Sequence, residues 1–173
     1  MTDHIERHGA EARFRTVFAH LGAVTAYARR RGSRDADALA AEVMTIAWRR
    51  LADVPADDAR PWLYATARNL LLAERRQAAR TAPAVGLDRA AEPEPAELDP
   101  CLAGALRSLS SLDREALLLV AWDDLTPKEA AKALGINPTA FRVRLLRARR
   151  RLRAKLDEPR RATPLTHLDV EGT

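Results

Sequence analysis

The sequence is short of the residues that staple, kink or span. It has one cysteine, Cys101, so an intrachain disulfide framework and a multi-cysteine zinc site are both excluded. Glycine (7 of 173 residues) and aromatics (5%) are scarce, and β-branched residues are few beside Ala, Leu and Arg, which removes the usual material of strands. No run approaches the ~18 apolar residues of a membrane span, and the opening stretch MTDHIERHGAEARFR has no apolar region of the signal-peptide kind, so membrane insertion is not expected. Four histidines are present (His4, His8, His20, His167) without an HExxH, Walker or nucleophile-elbow pattern, so no enzyme is expected. His4 and His8 are spaced i,i+4 but fall in a leader expected to be disordered; neither metal nor cofactor is expected. What remains is 47% apolar and 31% charged, enough for a core and characteristic of a cytoplasmic, all-α protein.

The charge is unevenly placed. Residues 1–80 hold 14 basic and 10 acidic side chains, residues 81–100 one and five, residues 101–156 twelve and five, and residues 157–173 two and four. The net +5 is thus two basic blocks partly cancelled by acidic segments. Segment 81–100, TAPAVGLDRAAEPEPAELDP, sets its acids among Pro83, Pro93, Pro95 and Pro100 with no helical periodicity, which predicts a flexible, self-repelling linker. Two small helical domains over 10–80 and 101–156 are therefore expected on either side of it, followed by a fraying tail, 157–173.

In the first block, Phe14, Val17, Phe18, Leu21, Val24 and Ala28 recur at helical spacing and predict one helix over 12–31, stopped by Gly32. Ser33 is placed to cap a second helix with Leu39, Val43, Ile46, Ala47 and Leu51 on one face and Asp35 and Asp37 in its first turn. Pro61 opens a third, whose spacing gives an apolar face of Trp62, Ala65, Leu70 and Leu72 and leaves Arg68, Asn69, Arg75, Arg76 and Arg80 around it. Aromatics beside a basic helix suit stacking on unpaired bases. On spacing alone, the plainer reading puts Trp48 and Trp62 in the core.

The second block is more specific. Asp99-Pro100 starts a short helix, and Ser110-x-x-Asp113 is a capping-box-like start for the next. Thr126-Pro127-Lys128-Glu129 combines an N-cap, a first-position proline and a reciprocal glutamate; the two-turn helix it opens ends at Gly135. Asn137-Pro138 repeats the start signal for a long final helix. Two helices joined by a three-residue turn containing Gly follow the helix-turn-helix plan, with Ala130 and Ala131 small enough for a close crossing. The final helix has Phe141, Leu145, Ala148, Leu152 and Leu156 on one stripe. Eight basic residues fall within 142–155, and no acid lies between Glu129 and Asp157. Such a helix repels itself unless something anionic covers it, which is the footprint of a nucleic-acid contact rather than a solvated, charge-alternating surface.

The run LSSLDREALLLVAWDDLTPKEAAKALGINPTAFRVRLLRARRRLR resembles region 4 of extracytoplasmic-function sigma factors, in the sigma-70 family of bacterial RNA polymerase subunits. RDADALAAEVMTIAWRR followed by RPWLYATARNLLLAERR is similar to region 2 of that family. The region 4 pattern is shared with other helix-turn-helix regulators, and its pairing with region 2 across residues 12–156 gives the resemblance its specificity. The resemblance implies core polymerase and promoter DNA as partners, and an anti-sigma protein as a candidate third. Asp35, Asp37, Leu39, Glu42, Val43, Ile46 and Trp48 would meet the clamp helices of polymerase's largest subunit, while region 4 would meet its flap. Asp57, Arg60, Trp62, Arg68, Asn69, Arg75 and Arg76 would meet the −10 element. Thr139, Arg142, Val143 and Leu146 would read the −35 duplex, with Arg144, Arg147, Arg149 and Arg150 on phosphates, and binding energy alone would drive base unstacking. The chain departs from the family at Ala38 and Ala41, where an acid and a Gln are usual, and in its acidic loop Asp53, Asp57, Asp58. A stand-alone helix-turn-helix regulator binding operators as a dimer shares the region 4 pattern but needs a dimer interface, for which the sequence offers no exposed apolar stripe.

Overall fold

The computed structural model describes residues 2–81 and 99–161, with side chains over 8–80 and 99–158. The segment expected as a linker lies almost entirely outside them, as does the tail beyond 161. All regular structure among the described residues is helical: α1 (Thr2–Phe18), α2 (Leu21–Arg30), α3 (Ala36–Arg49), a 3₁₀ turn (Leu51–Asp53), α4 (Arg60–Thr81), α5 (Pro100–Arg107), α6 (Ser111–Ala121), α7 (Pro127–Leu134) and α8 (Pro138–Arg161). The expected all-α architecture, two small helical domains, is the one observed.

The N-terminal helices depart from the spacing pattern in three places. The single helix expected over 12–31 is broken at Ala19 and His20, where the His20 amide donates to the Val17 carbonyl at 3.1 Å. Neither residue is a helix breaker, so the pattern carries no mark of the turn. The leader expected to be disordered is the first part of α1, built from good helix formers such as Glu11, Ala12 and Arg13. Asp35, not Ser33, caps α3: its carboxylate accepts from the Ala38 amide at 2.8 Å, while the Ser33 hydroxyl donates to the Asp35 carbonyl. Asp35 wins because it directly precedes the first helical residue, Ala36.

Helix α4 buries Leu63, Tyr64, Ala67 and Leu71, not the stripe expected at Trp62, Ala65, Leu70 and Leu72. The runs YATA and NLLLA offer apolar residues at several helical phases, and only packing against α2 and α3 selects one. These residues join Val17, Val24, Tyr27, Leu39, Val43, Met44 and Ala47 in the N-terminal core.

The C-terminal half follows its capping signals closely. Asp99 accepts from the amides of Cys101 and Leu102, Ser110 from that of Asp113, and Thr126 from that of Glu129, whose own carboxylate accepts in return from the Thr126 amide at 2.6 Å. Gly135 ends α7 with φ +65°, the left-handed conformation in which a Cβ is costly. Phe141, Leu145 and Ala148 of α8 are buried as the stripe predicts, and α8 runs beyond Leu156 to Arg161, into the segment expected as tail. The two halves touch. Ala130 and Ala131 of α7 are fully buried, α7 packs on α4, and one apolar cluster continues from Tyr64 through to Phe141.

Candidate nucleic-acid interface

The helix-turn-helix is built by local signals. The capping box starts α7, Gly135 turns the chain, and the Asn137 side chain accepts from the Thr139 amide at 2.8 Å to start α8. With Phe141, Leu145 and Ala148 packed inward, α8 must present its other faces outward. Thr139, Arg142, Val143, Leu146, Arg147, Arg149 and Arg150 are all exposed, with Leu146 at 52% and Val143 at 43%. Two exposed apolar residues among arginines are suited to a thymine methyl beside guanidinium contacts to base edges and phosphates.

Arg144 differs from its neighbours. Its Nη1 donates to Asp113 Oδ1 at 2.9 Å, and Arg151 Nη1 donates to the other carboxylate oxygen of Asp113. The Asp113 side chain is 3% exposed, so α6 pins two of the α8 arginines from beneath. The sequence marked Asp113 only as part of a capping box; its amide fills that role while its carboxylate does not. Asp113 supplies part of the anionic cover that the basic run demands. An open groove of about 570 Å³ lies beside this pair, lined by Thr139, Ala140, Val143 and Arg147 among others.

In the N-terminal half, the loop before α4 is held in place. Arg13 Nη2 donates to the Val54 carbonyl at 2.6 Å and Val54 itself is buried. Asp53 pairs with Arg50 at 2.8 Å and Asp58 lies 3.7 Å from Arg60, which leaves exposed Asp57 as the loop's least compensated acid. Trp62 is half-buried with the Arg50 guanidinium 5.9 Å from its ring, Arg68 is half-buried, and Asn69 is exposed. Arg75 donates to the Arg31 carbonyl at 2.7 Å and Arg76 to the Leu72 carbonyl of its own helix, so both are tied to backbone.

On α3, Asp35, Asp37 and Glu42 are exposed and Ile46 is half-buried. Leu39 and Val43, expected on the partner-facing side, are 3% and 0% exposed within the chain's own core, so they support α3 rather than touch a partner. Trp48 departs from the core reading: it is 47% exposed, edge-on to Phe14 with ring centroids 5.0 Å apart. Phe18, 48% exposed, adjoins Phe14 at 5.9 Å and extends this aromatic patch.

A third site has no counterpart in the sequence reading. At the end of α2, Arg31 Nε donates to both carboxylate oxygens of Glu115 at 2.8 Å, and its Nη2 to Asp123 at 2.8 Å; Arg30 also pairs with Asp123. Tyr27 donates its hydroxyl to Glu115 at 2.9 Å. The Arg31 guanidinium lies 3.6 Å from the Tyr27 ring centroid, and Tyr27 stacks on Tyr64 of α4 at 4.7 Å. Burial and then the Glu115 charge push the Tyr27 hydroxyl well above its usual range. Burial alone lowers the Arg31 pKa, but Glu115, Tyr27 and Asp123 together more than offset it and the net shift is upward. Both groups therefore stay protonated at ordinary pH. The partners are 84–93 residues apart in sequence, beyond the reach of any local pattern.

Residues 100–152 match the family described as sigma-70, region 4. A search of curated proteins finds no match. Among solved structures, the chain is similar to the sigma factor RpoE of Bartonella quintana in complex with the anti-sigma factor NepR, with 23% identity over 83% of this chain and 95% of that one and a TM-score of 0.62. It is similar also to CnrH in complex with the cytosolic domain of CnrY, with 27% identity over 84% and 88% and a TM-score of 0.58. No helix among the described residues is long and apolar enough to cross a membrane. Residues 100–152 thus match sigma-70 region 4, in a chain whose helical fold is similar to those of the sigma factor RpoE and of CnrH.

Proposed function

We propose that the protein is a sigma factor that binds core RNA polymerase and directs it to promoters. The observation that carries this reading is the arginine-rich outer face of α8 on a capped helix-turn-helix, in one chain with a second helical domain that exposes Asp35, Asp37, Glu42, Phe18 and Trp48. In this reading Arg142, Val143, Leu146 and Thr139 read the −35 duplex, and Arg147, Arg149 and Arg150 hold phosphates. Arg144 shapes the helix through Asp113. The loop 52–60 with Arg60, Trp62, Arg68 and Asn69 meets the −10 element, and unstacking there is driven by binding rather than by bond-breaking chemistry.

Asp35, Asp37, Glu42, Ile46 and Trp48 form the surface for the polymerase clamp helices, with Phe18 extending it. The C-terminal domain engages the flap. An anti-sigma protein is the regulatory partner this reading expects, and the cytoplasm its location. The deciding experiment is reconstitution: purified protein plus core polymerase is expected to initiate from a promoter carrying −35 and −10 elements. Failure to co-elute with core polymerase would overturn the reading. Tight binding of free dimeric protein to palindromic DNA, with no need of polymerase, would favour the operator-binding regulator instead.

A further inference from the structure

The outermost row of α8 carries apolar side chains where the surface on either side of it carries arginine. We propose that this row recognises the C5-methyl group of pyrimidines in the major groove, gaining as much from 5-methylcytosine as from thymine. Methylation of a cytosine within the site therefore strengthens binding. This rests on the sigma-factor reading above and names what its duplex-facing helix senses.

Phe141, Leu145 and Ala148 face the core, so the opposite meridian of α8 is Thr139, Val143, Leu146 and Arg150, spaced i, i+4, i+7 and i+11. Val143 and Leu146 are the large apolar side chains that α8 leaves exposed. A lone exposed leucine would need no explanation. Here two apolar residues stand together in the middle of a face flanked by guanidinium groups, with Arg142 and Arg149 on one side and Arg144 and Arg147 on the other. Asp113 holds Arg144 at 2.9 Å, which draws that guanidinium towards α6 and away from the central row. The apolar pair stays uncovered.

The rows of α8 thus have different targets. A helix ~10–12 Å across fits a major groove ~12 Å wide, so its outermost row meets the base edges while its flanks meet the phosphate walls. Val143 and Leu146 lie ~4.5 Å apart along the helix axis, against ~3.4 Å between base pairs, and so meet pyrimidines one or two steps apart. Neither side chain can donate or accept a hydrogen bond. Both are therefore blind to the edge that separates thymine, with its O4 acceptor, from cytosine, with its N4 donor. What they sense is hydrocarbon at C5. Thymine always carries it, and cytosine carries it only when methylated.

The test offers a random-sequence duplex pool to the full chain, both free and mixed with core polymerase. At each pyrimidine of the recovered −35 segment, duplexes are then compared that carry thymine, deoxyuridine, cytosine or 5-methylcytosine. At a contacted position, removing the methyl from thymine is expected to weaken binding about fourfold, and adding one to cytosine to strengthen it about fourfold. Val143→Ala with Leu146→Ala is expected to abolish both differences at unchanged helicity, because both side chains lie in solvent. Leu146→Met should retain them. Equal affinity with and without the methyl at every position overturns the proposal, as does a methyl effect that survives the double alanine variant. An effect at thymine with none at cytosine overturns the equivalence of 5-methylcytosine. A methyl effect in the free chain with no binding to core polymerase would refute the sigma-factor reading and leave methyl recognition standing. Failure of both forms to retain any duplex overturns both.

Discussion

The pairing of Asp113 with Arg144 makes the sharpest claim about the DNA-facing helix, because it reassigns an arginine from ligand to structure. Breaking a fully buried ion pair costs about 3–5 kcal/mol, and breaking an exposed one about 0–1. The Asp113 carboxylate is 3% exposed and the Arg144 side chain 35%, so Arg144→Ala lies between these limits, at about 2 kcal/mol. For a domain of this size that lowers the midpoint of its unfolding by roughly 10 °C. Arg151, with 61% of its side chain exposed, should cost no more than about 1 kcal/mol on the same substitution. A double-mutant cycle with Asp113→Asn and Arg144→Gln should return a coupling of about 1–2 kcal/mol in urea unfolding. Binding of −35 duplex across a salt series is the discriminating assay. An arginine committed to Asp113 contributes little to counterion release, so Arg144→Ala should leave the slope of log K against log salt nearly unchanged. A phosphate ligand such as Arg150 should reduce it by ~0.9 when replaced. Loss of ~0.9 in slope with no loss of stability would refute the assignment of Arg144 to Asp113.

Arg142→Ala should weaken −35 binding by about 1–3 kcal/mol and relax base preference, whereas Arg150→Ala should weaken all duplexes alike; equal selectivity of Arg142→Ala and wild type in competition binding would contradict the readout role. Gly135→Ala should cost about 1 kcal/mol in denaturant unfolding from backbone strain alone, since a Cβ there meets nothing within 4 Å; Gly135→Asn should recover part of it. Thr126→Ala removes the α7 cap and should cost about 1 kcal/mol at neutral pH. Hydrogen bonds from Thr126 lower the Glu129 pKa below its usual 4.5, so the stability they confer is present above that value and disappears as pH falls through the lower folded one; Thr126→Ala should flatten this acid slope in pH-dependent melts. Trp48→Ala should weaken core polymerase binding about tenfold or more in a pull-down titration while leaving the duplex affinity of α8 intact, and undiminished capture would remove the aromatic patch from the docking surface.

What the sequence disclosed and what it hid divide along a physical line. The helix-turn-helix was legible to the residue because Thr126, Pro127, Glu129 and Gly135 act on groups within four positions of themselves, and the α8 stripe follows from one helical period. The phase of α4 was not, since apolar residues stand at too many angles around it and burial of Tyr64 depends on α2. The turn at Ala19 and His20 left no trace, both residues being content in a helix. Asp113 looked complete as a cap, which concealed that its side chain was free to hold α8. The Arg31 cluster was beyond sequence reasoning altogether, because the separation of its partners erases any periodic signal. The exposed aromatics carry a further lesson: Phe18 and Trp48 sit at core spacing, and only the placement of α1 against α3 shows that their faces remain uncovered.

Helix α7 carries a consequence for how the chain tolerates change over generations. Its inward residues, Ala130, Ala131 and Ala133, are 0–4% exposed, while Lys128 and Lys132 on the same two turns are in solvent. Every single-base change from an alanine codon that alters the residue adds bulk, charge or a proline ring, or removes the Cβ altogether. The helix therefore alternates, within eight residues, between positions that accept almost any substitution and positions that accept almost none. In a saturation library, α7 should appear as a barcode rather than as a uniformly constrained block.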